Sequence, residues 1–240
     1  MEDEAAPIRA LAAEPRQAAV LLDADGVLAP IVDRPEDARV PKDVLAELVR
    51  LVPRYGLVAC ISGRPRGQLE TLVPVAGVEL VGEHGLELSD EAAAWAQGIA
   101  EFGRSFDWPA EQKALSVSFH FRRADDEAAA RAYLTRVADA AVRQGLVPRW
   151  GRKVLEVRPP VAADKGTAVR ALLARSGLRR ALYAGDDSTD LDAFVGLCEA
   201  GLELGVRVAV DSSEAPAGLL EAADVVVAGP EGMLALLRSL

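Results

Sequence analysis

Two carboxylates that interrupt an apolar run constrain this chain more than any other feature. Gln17-Ala18-Ala19-Val20-Leu21-Leu22 reads as a buried strand, and Asp23 and Asp25 follow it at once, ahead of Gly26. Side chains two apart on a strand point the same way, so Asp23 and Asp25 are expected to converge where the strand ends. Gly26 lets the chain turn there without a Cβ penalty. Two anions at the end of a buried strand are costly unless a proton or a cation offsets them. A hard divalent cation with carboxylate ligands is the natural answer. The same D-x-D-G pattern also occurs in calcium loops and ordinary turns, so the pair alone leaves the question open.

The strands that follow repeat the pattern. After a lead-in over residues 1–16 and a Pro-rich loop (29–41), apolar spacing predicts a helix over 42–54. Leu57–Ile61 reads as a second buried strand running into Ser62-Gly63-Arg64, and 78–82 as a third running into Glu83-His84-Gly85. From about residue 88 the texture changes. A helix over 91–106, an alternating strand over 114–122, a helix over 125–144 and an alternating strand over 153–158 suggest a small sheet with one wetter face. Buried strands then resume at 181–184, 206–210 and 225–227, with helices at 165–173, 191–199 and 231–239. Buried strands alternating with helices call for a doubly wound, parallel, Rossmann-like α/β sheet. The expected division is a core of 1–87 and 163–240, with 88–162 inserted as an α+β cap domain.

Composition narrows the partners. Half of the 240 residues are hydrophobic, enough for a sizeable core. No apolar run reaches the ~20 residues of a membrane span, and the amino terminus lacks the pattern of a secretory signal. Cys60 and Cys198 sit among apolar neighbours and suggest no disulfide framework. A cytoplasmic protein, with no membrane partner and monomeric, is expected. The formal net charge of -10 argues against nucleic acid. It leaves room for a small anionic substrate held by local cations or a metal.

Four polar clusters lie at strand ends or helix starts, the edge where open α/β sheets bind ligands. They are Asp23/Asp25; Ser62-Gly63-Arg64, suited to a phosphate oxygen; Lys165, a point charge for phosphate; and Asp186, Asp187 and Asp190. Each has a plain alternative. Ser62 is also a fair helix cap, Lys165 a fair surface lysine, and Asp187 or Asp190 a fair cap for the next helix. Together they suggest a magnesium ion between two carboxylate clusters, with Ser62 and Lys165 completing a phosphate cradle.

The order D-x-D-G-x-L, S-G-R, Lys, G-D-D-x-x-D resembles the haloacid dehalogenase superfamily of phosphohydrolases. Gly82-Glu83-His84-Gly85-Leu86-Glu87, Glu111-Gln112-Lys113 before His120-Phe121-Arg122, Glu156-Val157-Arg158-Pro159 before Asp164-Lys165-Gly166, and Gly185–Phe194 narrow the resemblance to its trehalose-6-phosphate phosphatase family. The resemblance implies Mg²⁺-dependent hydrolysis of trehalose 6-phosphate. In it Asp23 is the nucleophile that forms an aspartyl phosphate, and Asp25 is the general acid and later the general base. Asp23, Asp186, Asp187, Asp190 and the backbone carbonyl of Asp25 are implied as metal positions, and Ser62 and Lys165 as donors to the phosphoryl oxygens. Glu111, Lys113 and Glu156 are implied to reach the sugar hydroxyls. Arg64, His84, Arg122 and Arg158 complete the expected substrate-binding set. Ala24 and Val27 depart from residues common in the family, at positions that carry no charge the chemistry needs. The rival readings are a phosphatase of another sugar phosphate, a sugar-phosphate sensor without catalysis, and a phosphoryl-accepting signalling module.

Overall fold

Successive side chains of the first strand feed two separate cores, which is why its whole length is apolar. In Ala18–Leu22, Val20 and Leu22 pack with Val58 and Cys60 on one side, while Ala19 and Leu21 pack with Ala59 and Ile61 on the other. A strand with helices on both faces has no room for polar alternation. The computed structural model describes residues 5–32, 34–151, 153–212 and 215–240. They form two units: the chain up to Gly85 together with Ala163–Leu240, and Leu86–Ala162.

In chain order the first unit begins with α1 (Ala6–Ala12), β1 (Ala18–Leu22), α2 (Lys42–Leu51), β2 (Leu57–Ile61), α3 (Arg66–Leu72) and β3 (Glu79–Val81). The second unit holds α4 (Asp90–Ala93), α5 (Ala96–Arg104), β4 (Ala110–Gln112), β5 (Val117–His120), α6 (Glu127–Arg143), β6 (Val147–Gly151) and β7 (Val154–Arg158). The first unit resumes with α7 (Lys165–Ser176), β8 (Arg180–Gly185), α8 (Asp190–Glu199), β9 (Leu204–Asp211), α9 (Ala217–Ala222), β10 (Val225–Ala228) and α10 (Gly229–Ser239).

The first unit is the doubly wound sheet expected from the sequence. Its strands run parallel in the order β10-β9-β8-β1-β2-β3. Residues of α1, α2, α3 and α10 cover one face, and residues of α7, α8 and α9 the other. The order reverses between β1 and β8, so the two central strands end side by side at the switch point where such sheets bind ligands. Asp23 and Asp186 are the residues that follow those two strands. Among the described residues no helix is long and apolar enough to cross a membrane.

The helices that carry the later site residues approach closely through glycine. A Cβ on Gly196 of α8 would lie 2.4 Å from the Gly166 carbonyl oxygen of α7. Gly196→Ala is therefore expected to push α8 from α7 and cost about 1–3 kcal/mol, the scale of overpacking. Urea unfolding checks this, and an unchanged midpoint would mean that the helices separate freely.

The second unit is an antiparallel sheet of order β4-β5-β7-β6, covered on one face by α5 and α6. Val117, Phe119, Leu155 and Val157 face those helices. β4 and β6 are absent from the sequence reading. β4 has three residues, and β6 contains Pro148, which a strand tolerates at a sheet edge, where β6 lies. The helix expected over 91–106 divides around Trp95, which packs against the unit's core. The lead-in contains a true helix, α1, anchored by buried Ile8 and Leu11; residues 1–4 of that lead-in lie outside the described set.

Candidate active site

Asp23 continues the β1–β8 ladder by one bond, its N–H donating to the Ala184 carbonyl at 2.9 Å. This fixes its carboxylate beside the start of the Gly185-Asp186-Asp187 turn. Gly26 takes φ +78, and a Cβ there would lie 2.0 Å from Asp186 Oδ2. Only a glycine lets the Asp186 carboxylate sit against this loop. Asp23, Asp186 and Asp190 are all buried, and one carboxylate oxygen of each lies within 4.8 Å of the others.

Lys165 is the single cation inside this group among the described ion pairs. It is the first residue of α7, whose start is fixed by a capping box between Asp164 and Thr167. Its side chain is 2% exposed, with Nζ 2.7 Å from Asp190 Oδ1 and 3.0 Å from Asp23 Oδ2. Burial alone would lower the lysine, but the carboxylates of Asp190, Asp23 and Asp187 outweigh it and keep it protonated well above its ordinary value.

Asp190 is fully occupied in holding this arrangement. Its Oδ1 accepts from Lys165 and, at 2.6 Å, from the Tyr183 hydroxyl. Its Oδ2 accepts from the backbone N–H groups of Asp186 and Asp187, both at 2.9 Å. One carboxylate thus fixes the lysine and the turn that presents Asp186. The sequence signal for Tyr183 is a phenol in a fully buried strand, which needs a polar partner. Ser212, just after β9, donates to Asp186 Oδ2 at 3.2 Å and lies outside the set that the sequence motifs mark.

Burial pushes Asp23 well above the usual carboxylate range, with Asp190, Asp187 and Asp186 adding to the effect against Lys165. Asp186 is pushed up to about 7, by burial first and then by Asp190 and Asp187. Asp23 and Asp186, crowded against Asp190 with Lys165 among the three carboxylates, fit a hard divalent cation, which would supply further positive charge there. The raised Asp186 value has a measurable consequence. Its stabilising contribution is fully present below the ordinary carboxylate value near 4 and is lost as pH rises through 7. With a chelator present, the unfolding temperature should fall as pH rises from 5 to 8. A cation must displace that proton, so its apparent affinity should weaken by up to about tenfold per pH unit below 7. Affinity independent of pH would contradict the assignment.

The other expected residues are distributed unevenly. Asp187 stands outside the three-carboxylate group: its Oδ1 accepts from Thr189 N and Oγ1. Burial would raise it, but Lys165, those two bonds and His84 hold it below the ordinary value. Asp25 also stands outside, since β1 ends at Leu22 and strand alternation stops there. Its carboxylate is forked by Arg64, Nε to Oδ2 at 2.6 Å and Nη2 to Oδ1 at 2.7 Å. Ser62 is buried at the end of β2, three residues before the Pro65 cap of α3, and its Oγ accepts from the Arg64 N–H. His84 and Glu83 both adopt left-handed backbone, a conformation that costs a non-glycine residue energy. Bonds from His84 N to Ser62 O and from Glu83 N to Arg64 O hold them there.

The second unit carries its expected residues on the sheet face away from α5 and α6. Register places Glu111 opposite Ser118, Ser118 opposite Glu156, and Glu156 opposite Arg149, in one rank across all four strands. Lys113 Nζ lies 3.3 Å from Glu156 Oε1, which also accepts from Ser116 Oγ at 3.1 Å. Glu111 pairs with His120 Nε2 at 3.0 Å. Arg158 shares the side of β7 with Glu156 and is buried, whereas Arg122 lies exposed beyond the end of β5. Ser116, Ser118, His120 and Arg149 also belong to this face and stand outside the substrate-binding set expected from the sequence.

Comparison with known proteins locates these features in a family. An uncharacterized glycosyl hydrolase of Mycobacterium tuberculosis is 37% identical over 218 residues, 80% of this chain but 16% of its own length. This chain thus spans a small part of that relative. Probable trehalose-phosphate phosphatase C of Arabidopsis thaliana is 31% identical over 225 residues, 82% of this chain and 70% of its own. The C-terminal domain of Candida albicans trehalose-6-phosphate phosphatase shares the fold, with a TM-score of 0.73 over 98% of this chain and 95% of that one, at 22% identity. The sequence profile of the trehalose-phosphatase family matches residues 21–108 and 109–218. The chain belongs to the trehalose-phosphatase family.

Proposed function

We propose that this chain hydrolyses trehalose 6-phosphate to trehalose and phosphate through a phosphoryl group carried on Asp23. The observation that carries the reading is the buried Lys165 set between Asp23 and Asp190, with Asp186 beside them, in a chain of this family. A catalytic nucleophile and a phosphate-facing cation share one site, which a sugar-phosphate sensor or any purely binding role does not require.

Asp23 attacks phosphorus and forms an aspartyl phosphate as the bond to the sugar oxygen breaks. Asp25 delivers the proton that the departing oxygen needs, then accepts one from the water that attacks phosphorus in the second step. Ser62 and Lys165 donate to the phosphoryl oxygens while charge moves across them. Asp23 and Asp186 would hold Mg²⁺ with the Asp25 backbone carbonyl, while Asp190 and Asp187 act behind them. When bound, that ion offsets the charge gathered on the phosphoryl group.

Residues 88–162 act in this proposal as the specificity cap. Glu156, Lys113 and Glu111 offer acceptors and a donor of the kind that hold sugar hydroxyls, and a polar site left unpaired by the wrong ligand rejects it. Arg122, Arg158 and His84 remain substrate contacts in this reading, and Arg64 stands beside Asp25 at the Ser62 loop. The proposal includes a monomeric, cytoplasmic protein that acts on a small molecule and on neither nucleic acid nor membrane.

Phosphate release from trehalose 6-phosphate, sucrose 6-phosphate and glucose 6-phosphate, with Mg²⁺ and with a chelator, tests it. Metal-dependent preference for trehalose 6-phosphate is expected. Preference for another ester would overturn the cap assignment, and tight binding without release from any ester would overturn the enzyme.

A further inference from the structure

The residue expected to carry the proton is held in a way that prevents it from doing so. Arg64 occupies both oxygens of the Asp25 carboxylate, at 2.6 and 2.7 Å, and a third N–H group, Nη1, donates to the Pro35 carbonyl at 2.9 Å. The guanidinium is mostly covered, its side chain 12% exposed, whereas the Asp25 side chain is 39% exposed. The Arg64 backbone is itself tied to the phosphate-facing loop, its N–H donating to Ser62 Oγ at 3.2 Å. Arg64 is thus the fixed member of the pair and Asp25 the movable one.

A guanidinium has donors only. To pass a proton to a sugar oxygen, a carboxyl must turn one oxygen from acceptor to donor, and that oxygen can then no longer face Arg64. The two-pronged pair and the proton-carrying form exclude each other. Asp25 also lies outside the Asp23, Asp186 and Asp190 group, so the paired position is separate from the three buried carboxylates.

We propose that Arg64 is a positioning residue that parks Asp25, and that it acts on the reaction through Asp25 rather than by holding the phosphate. Substrate binding at the Ser62 loop turns the movable Asp25 carboxyl off one Arg64 N–H toward the leaving oxygen, while the fixed guanidinium keeps hold of the other oxygen and so orients the group. Proton delivery is thereby tied to the presence of an ester. The inference rests on the function proposed above.

A double-mutant cycle in kcat/KM tests it, using Arg64→Met, Asp25→Asn and the pair, on trehalose 6-phosphate and on p-nitrophenyl phosphate with Mg²⁺. This ratio reports steps up to release of the alcohol, and nitrophenolate leaves without needing a proton. Arg64→Met is expected to cost about 10²-fold on the sugar ester, the scale of a misplaced catalytic group. It should cost only a few-fold on the aryl ester and add nothing once Asp25 is Asn. Arg64→Lys, which keeps the charge and loses the fork, is expected to recover little. Equal losses on both esters, additive effects in the cycle, or full recovery by Lys would overturn the inference while leaving the proposed function standing. Equal thermal unfolding of Arg64→Met and wild type is expected, and a collapse of the variant's fold would assign Arg64 a structural role instead. Failure of the wild type to release phosphate from either ester would overturn the proposed function and this inference with it.

Discussion

Asp23→Asn is expected to lower phosphate release by about 10⁴-fold or more, the scale seen when a nucleophile is removed, without unfolding the protein. Asn has nearly the same shape and still offers an oxygen to Lys165, 3.0 Å away in the native site. It cannot attack phosphorus at a useful rate. The substitution also removes a carboxyl that burial holds well above the usual carboxylate range and that Asp190, Asp187 and Asp186 raise further. The metal-free variant should therefore be as stable as the wild type or more so, while its affinity for divalent cations falls. Steady-state kinetics and thermal unfolding, read together, check both halves. Substantial residual activity would move the nucleophile elsewhere, and a loss of stability would mean that the Asp23–Lys165 pair outweighs the repulsion.

Lys165→Met is expected to do the opposite to stability. The lysine is 2% exposed and contacts Asp190 and Asp23 within 3.0 Å. Met fills a similar volume, so packing changes little, but two buried carboxylates lose their cation. Removing one partner of a buried ion pair costs about 3–5 kcal/mol. Asp190 keeps three donors, Tyr183 and two backbone N–H groups, which limits the damage on its side. Activity should fall by about 10²–10³-fold through loss of a donor to the developing charge. Urea unfolding with and without Mg²⁺ checks the cause: a bound cation supplies part of the missing charge, so the loss should shrink when it is present. Equal losses in both conditions would point to packing.

The sequence made the sheet legible because parallel strands buried on both faces are continuous apolar runs, and the polar residues that end them stand out. Leu22 giving way to Asp23, and Gly185 to Asp186, mark the two central strand ends. What the sequence did not reveal depends on side-chain direction and on contacts across the sheet. Asp25 was expected to converge with Asp23, but alternation holds only within a strand, and β1 ends at Leu22. Its partner, Arg64, lies 39 positions away. The sequence offers Asp190 as a metal position or a helix cap, and gives no sign that its four hydrogen bonds make it the centre of the Lys165 and Asp186 arrangement. The edge strand β6 carries Pro148 and no alternation, so local pattern gives no sign of it.

The central claim is that the phosphoryl group passes through Asp23. Asp25→Asn should form the aspartyl phosphate from p-nitrophenyl phosphate, whose leaving group needs no proton, and then hydrolyse it slowly for want of a base. Rapid acid quenching of that variant with ³²P-labelled substrate, followed by peptide mapping, should place the label on the peptide containing Asp23. The label should vanish when Asp23 is also replaced by Asn. Phosphate release without any labelled protein, or label on a peptide lacking Asp23, would contradict the account.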